Sequence, residues 1–162
     1  MLLAAHIRDF VIIHALAPLP ANMRTPAAVE LLLGTAIVES RLTFLRQGLE
    51  VPGDGKGVAL GLYQIEPATH RDCWENYLQF RPALASAVGG RKPDEHLITD
   101  LAYATRIARI IYWRAPLRLP DATDIEGLAR IWKEVYNSHL GAGNPDEFVT
   151  LYKRYALASR LG

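Results

Sequence analysis

The stretch that most limits what this chain can fold into is LLLGTAIVES, residues 31–40. From Leu31 to Val38 it carries no charge, and Leu31, Leu32, Thr35 and Val38 recur at helical spacing, so it reads as a buried helix. The run ends in an acid, Glu39, followed directly by Ser40. A carboxylate at the end of a buried helix sits where core meets solvent. Partial desolvation there raises its pKa, which suits a general acid working near neutral pH. Gly53, Gly55, Gly57 and Gly61 then punctuate a loop that leads into Gly61-Leu62-Tyr63-Gln64-Ile65. The loop from Gln47 to Leu60 is either a plain surface loop or, beside two such segments, the rim of a binding cleft.

The rest of the chain supplies helices to surround that run. A first helix is expected from Leu2 to Leu16, with Ile7, Phe10, Val11 and His14 on one face, stopping before Pro18 and Pro20. Thr25-Pro26 reads as the N-cap and first position of the helix that carries Glu39, with residues 41–46 extending it by a turn or two. Glu66-Pro67 opens another helix through Cys73 and Tyr77, and Arg81-Pro82 a short one to Val88, ended by Gly89-Gly90. Leu97, Leu101, Ala104, Ala108 and Ile111 form one apolar stripe over a helix from Leu97 to Arg114. Thr123 to Glu126 reads as a capping box, with Ile125, Leu128, Trp132 and Val135 inward and Tyr136-Asn137 at the helix end. Asn144-Pro145-Asp146-Glu147 opens the last helix, with Phe148, Leu151, Tyr152 and Tyr155 inward. The expected fold is mainly α, a single domain over residues 1–162, with a short extended or β segment near residues 57–66.

Length and charge bound the function. At 162 residues the chain can bury a core without disulfides, and Cys73 is its only cysteine. Cys73 with His70 three residues away has the spacing of a nucleophile and base, against the plainer reading of a small buried side chain. A net charge of +1 argues against non-specific nucleic-acid binding, which needs many contacts to phosphate. No metal-ligand or phosphate-binding motif is present, so neither a metal nor a cofactor is expected. No apolar run reaches the length of a membrane span. The N-terminal apolar stretch lacks a preceding basic region and is interrupted by Arg8 and Asp9, so it reads as a first helix rather than a signal peptide.

Glu39-Ser40, Gly61-Leu62-Tyr63-Gln64-Ile65 and Tyr136-Asn137 together resemble the three motifs of lytic transglycosylases with a soluble-lytic-transglycosylase domain, in the lysozyme-like superfamily. The resemblance runs from about Thr25 to Phe148 and is nearest to small phage and prophage proteins. The family's small residue and glycine after the Asn are replaced here by Ser138-His139. The resemblance implies a lysozyme-like helical domain whose partner is the glycan strand of peptidoglycan. It implies cleavage of the β-1,4 bond between N-acetylmuramic acid and N-acetylglucosamine, giving 1,6-anhydro products. It also implies synthesis in the cytoplasm and action on the cell wall, after release in lysis or as part of a phage particle.

Such cleavage needs protonation of the leaving oxygen and stabilisation of an oxocarbenium-like centre. The resemblance makes Glu39 the single acid/base, with the substrate's N-acetyl group replacing a second carboxylate. It assigns sugar binding to Gln64 and the backbone near Tyr63, with Asn137 beside them, and gives Tyr136 the role of orienting Glu39. Ser40 either supports the acetamido group or caps the helix. Tyr63 either stacks on a sugar ring or fills the core. Glu66 is either a second carboxylate, which with Asp54 as a weaker candidate would support ordinary hydrolysis, or a helix N-terminal acid favoured by the dipole. A lysozyme or muramidase on the same fold and a catalytically silent glycan-binding or phage structural module remain alternatives.

Overall fold

The structure, a computed structural model, describes residues 3–43, 58–137 and 141–157. Its organising element is helix α2, Pro26–Ser40. Thr25 Oγ1 accepts from Ala28 N at 3.2 Å, and Pro26 stands at a position that needs no amide hydrogen. Every residue from Leu31 to Ile37 is buried, so the helix is covered all round and has no solvent face over that span. Leu31, Leu32, Leu33 and Ile37 are at most 1% exposed, each contributing ~1.5–3 kcal/mol of burial. Thr35 is the one polar side chain in the span, and Tyr112 Oη and the Leu31 carbonyl both meet its hydroxyl at 2.7 Å.

The other helices enclose α2. Helix α1 covers residues 4–16, and α3 is Pro67–Glu75. They are followed by α4, Pro82–Val88, α5, His96–Thr99, and α6, Leu101–Trp113. Helices α7, residues 125–137, and α8, residues 145–157, complete the order. Helices α1, α6, α7 and α8 all pack on α2. The mainly α expectation holds. Between Gly57 and Glu66 the described residues show one antiparallel bridge, Leu60 to Ile65, closed by two 3.0 Å backbone bonds. Gly61 begins the turn inside it at φ +77°, and a Cβ there would lie 1.9 Å from the Leu97 carbonyl oxygen. No other residue type fits that approach.

Four local expectations are corrected. In α1, Phe10 is 68% exposed and His14 is exposed, whereas Ile7 and Ile12 are buried. Residues Ile7–Ile12 are π-helical, so side chains five apart share a face and a 3.6-residue reading misplaces them. Helix α2 stops at Ser40, because Arg41 and Leu42 are both left-handed, at φ 54° and 53°. The expected helix from Leu97 to Arg114 is broken at Asp100, whose carboxylate caps α6 by accepting from Tyr103 N at 2.9 Å and also holds Lys92 Nζ at 2.9 Å. The cap of α7 is Asp124, accepting from Gly127 N at 2.9 Å, while the Thr123 hydroxyl is bound to Asp121.

Candidate functional site

The end of α2, the turn at 61–65 and the end of α7 meet around an open cleft of about 480 Å³. Glu39, Gln64, Glu66, Tyr136 and Asn137 line it, with Thr69 beside them and Ile65, Ile111 and Val135 as apolar wall. Residues nearly a hundred positions apart are thus gathered at one site.

Glu39 is half-buried, and its Oε1 accepts from Trp132 Nε1 at 3.0 Å. Burial pushes its carboxyl up to about 7; the indole bond pulls against this and the charge of Glu147 adds to it. The chain around it is held firmly. Ser40, fully buried, donates to the Ala36 carbonyl at 2.9 Å and accepts from Leu42 N at 3.3 Å. Its hydroxyl is therefore spent inside the turn that ends the helix, where Arg41 is the C-cap, and Ser40 does not line the cleft. Two consecutive left-handed residues cost ~1–2 kcal/mol each, and burial of Leu42 at 5% exposure offsets part of that cost. The outcome is a sharp turn immediately after the acid, of the sort that strained backbone makes at functional sites.

An aromatic block supports the other side. Trp132 packs on Phe148 with centroids 5.8 Å apart, and Phe148 stacks on Tyr152 at 6.5 Å. Phe148 reaches α2 only because residue 34 is glycine; a Cβ there would lie 2.1 Å from Phe148 Cζ. Trp132–Asn137 is a second π-helical stretch, and its i→i+5 pattern brings Trp132 and Asn137 to the same side of α7.

Tyr136 does not orient Glu39 by a direct hydrogen bond. Its hydroxyl donates to the Tyr63 carbonyl at 2.6 Å, and its ring stacks on Tyr112 at 5.3 Å. It joins the turn to α7, and burial holds its phenol well above the usual range, with Glu39 the next cause. Trp132 makes the direct contact with the acid. Tyr63 is a core residue: its side chain is fully buried and its hydroxyl meets Thr105 Oγ1 at 2.9 Å, so it offers no face for a sugar. Only its backbone carbonyl serves the site. Gln64 is left-handed at φ 47° and donates from Nε2 to the Gly61 carbonyl at 2.8 Å. Asn137 Oδ1 accepts from Lys133 Nζ at 2.9 Å, and the same ammonium reaches the Gly141 carbonyl at 2.8 Å. Glu66 is exposed and precedes α3 without capping it through its side chain. Asp54 and His139 lie outside the described residues.

Cys73 and His70 form no nucleophilic pair. Cys73 is buried, and burial raises its thiol pKa. Both His70 nitrogens are engaged, Nδ1 with Asp94 at 2.7 Å and Nε2 with Tyr103 Oη at 2.6 Å. Among the described residues no group of three His, Cys, Asp or Glu could hold a metal ion, and no helix is long and apolar enough to cross a membrane.

Sequence reasoning placed Trp132 inward as core and missed its role toward Glu39. The available signal was chemical: a buried indole N–H needs an acceptor. Glu147, whose charge acts on Glu39 and which pairs with Arg41 at 3.0 Å, had no such signal. Comparison with protein-family models, curated proteins and solved structures finds no match.

Proposed function

We propose that this chain is a peptidoglycan lytic transglycosylase, acting in phage lysis or as part of a virion, with Glu39 as its single acid/base. The observation that carries this reading is the Glu39 carboxyl, raised to about 7 by burial yet lining an open, polar cleft. A carboxyl that holds its proton at neutral pH can protonate a glycosidic oxygen, and once ionised it can take the proton of a sugar hydroxyl. Glu39 would then give its proton to the leaving oxygen between N-acetylmuramic acid and N-acetylglucosamine. The substrate's own acetamido group would stabilise the developing cation, and Glu39 would next deprotonate the C6 hydroxyl as it closes on C1. Gln64 and Asn137 bring amide donors and acceptors suited to hydroxyl and acetamido groups. Trp132 holds the carboxylate in place.

A second reading is favoured by one observation: Glu66 lines the same cleft. As a second carboxylate it would activate water and make the reaction a hydrolysis. Mass spectrometry of the soluble products from purified peptidoglycan separates the two. Anhydro-muramic ends that are absent with Glu39→Gln and persist with Glu66→Gln support the transglycosylase. Reducing ends that are lost with either variant make the chain a hydrolase. No products from the wild type, despite binding to the sacculus, would make it a silent glycan-binding module and refute the proposed chemistry.

A further inference from the structure

A second cavity, of about 620 Å³, lies between the start of α2, the end of α6 and the segment 115–119, and it shares no lining residue with the cleft. Arg109 lines it and is 3% exposed. Its Nε donates to the Met23 carbonyl at 2.6 Å, and its guanidinium carbon lies 5.4 Å from the centre of the Trp113 ring. The terminal nitrogens of Arg109 meet no acceptor among the described residues. No enclosed side-chain nitrogen or oxygen among those residues lacks a partner, so these donors open onto the cavity. A buried guanidinium is normally matched by a carboxylate, because an uncompensated charge is costly to desolvate. Here no Asp or Glu lines the cavity, and the other charged lining residue is a second cation, Arg118.

We propose that this cavity binds a small ligand carrying an oxyanion, such as a carboxylate, on an apolar body. The terminal N–H groups of Arg109 would take the oxyanion in a forked contact, the geometry in which guanidinium binds such groups best. Thr25 and Ala27 form part of the wall, so the positive end of the 15-residue helix α2 adds to the field there. Trp113, Leu117 and Leu119 supply apolar surface for the rest of the ligand. Burial lowers the Arg109 pKa to about 10, which leaves the group cationic at neutral pH. The two parts of the cavity thus ask for two parts of one molecule.

The test uses ¹⁵N-labelled full chain and three probes: 3-phenylpropionate, its neutral amide, and inorganic phosphate. The Arg109 Nε–H and Trp113 indole signals report binding. The acid is expected to move both signals, with the amide and phosphate each weaker by roughly tenfold or more. Ala27→Phe fills the wall while leaving the Arg109 anchor to Met23 intact, and should abolish binding. Arg109→Lys should weaken the acid by roughly tenfold; if that variant does not fold, Ala27→Phe carries the test alone. Glu39→Gln should bind the acid as the wild type does. An amide that binds as tightly as the acid, phosphate that binds as tightly as the acid, or unaltered binding in Ala27→Phe would each overturn the assignment. So would the absence of any shift with the acid.

Discussion

Replacing Glu39 by Gln should make the protein more stable, and only above acid pH. In the unfolded chain the carboxyl titrates near 4.5, and in the folded chain at about 7. Below pH 4 both states hold the proton, and Glu39 costs the fold nothing. Between the two values the folded state retains a proton that the unfolded state has released, so stability falls as pH rises through this window. Above about 7 both states are ionised and the loss is complete. A separation of about 2.5 pH units corresponds to about 3 kcal/mol. The amide of Glu39→Gln carries no charge to desolvate, and its carbonyl can still accept from Trp132. The variant should match the wild type at pH 4 and exceed it by about 3 kcal/mol at pH 8, roughly 6–12 °C in Tm for a domain of this size. Urea melts of both proteins at unit steps from pH 4 to 8 measure this, and titrations common to both cancel in the difference. A stability difference that does not change with pH would refute the reasoning, because Glu39 would then titrate as an ordinary exposed acid.

Three further outcomes follow from the same geometry. Trp132→Phe keeps the packing on Phe148 but removes a bond that favours the ionised acid; the Glu39 midpoint in a carboxyl-carbon NMR titration should rise by about one pH unit. An unmoved midpoint would mean that the indole does not govern the acid. Tyr136→Phe removes the bond to the Tyr63 carbonyl and should lower stability by about 1 kcal/mol in denaturant melts; under the proposed function it should also reduce peptidoglycan cleavage, because that bond ties the turn to α7. Gly61→Ala should destabilise by more than ~2 kcal/mol in the same melts, since it must move backbone at Leu97 as well as adopt a positive φ; a near-neutral effect would show that the approach to Leu97 is loose.

Much of this protein was legible in the order of its residues, and the reason is local. Thr25-Pro26, Asn144-Pro145 and the apolar run to Val38 act within a few positions, through one N–H, one ring or one helical period. They state where helices start and that the middle of α2 is covered all round. The acid at the end of that run was visible for the same reason. Local rules failed where a distant group or an unusual turn decided the outcome. The π turn in α1 alters which side chains share a face, so Phe10 does not lie with Ile7, and the contact of Trp132 with Glu39 joins residues 93 positions apart, beyond the reach of any local pattern. Tyr63 and Ser40 looked like site residues by position, but Thr105, Ala36 and Leu42 claim their hydroxyls. Only the folded chain could set how dry Glu39 is, because that depends on α7 and α8 packing over the end of α2. It alone could leave Arg109 facing a cavity with no carboxylate beside it. Periodicity in sequence reports which residues avoid water; which polar atoms find partners, and which are left facing open space, is decided by contacts between segments far apart in the chain.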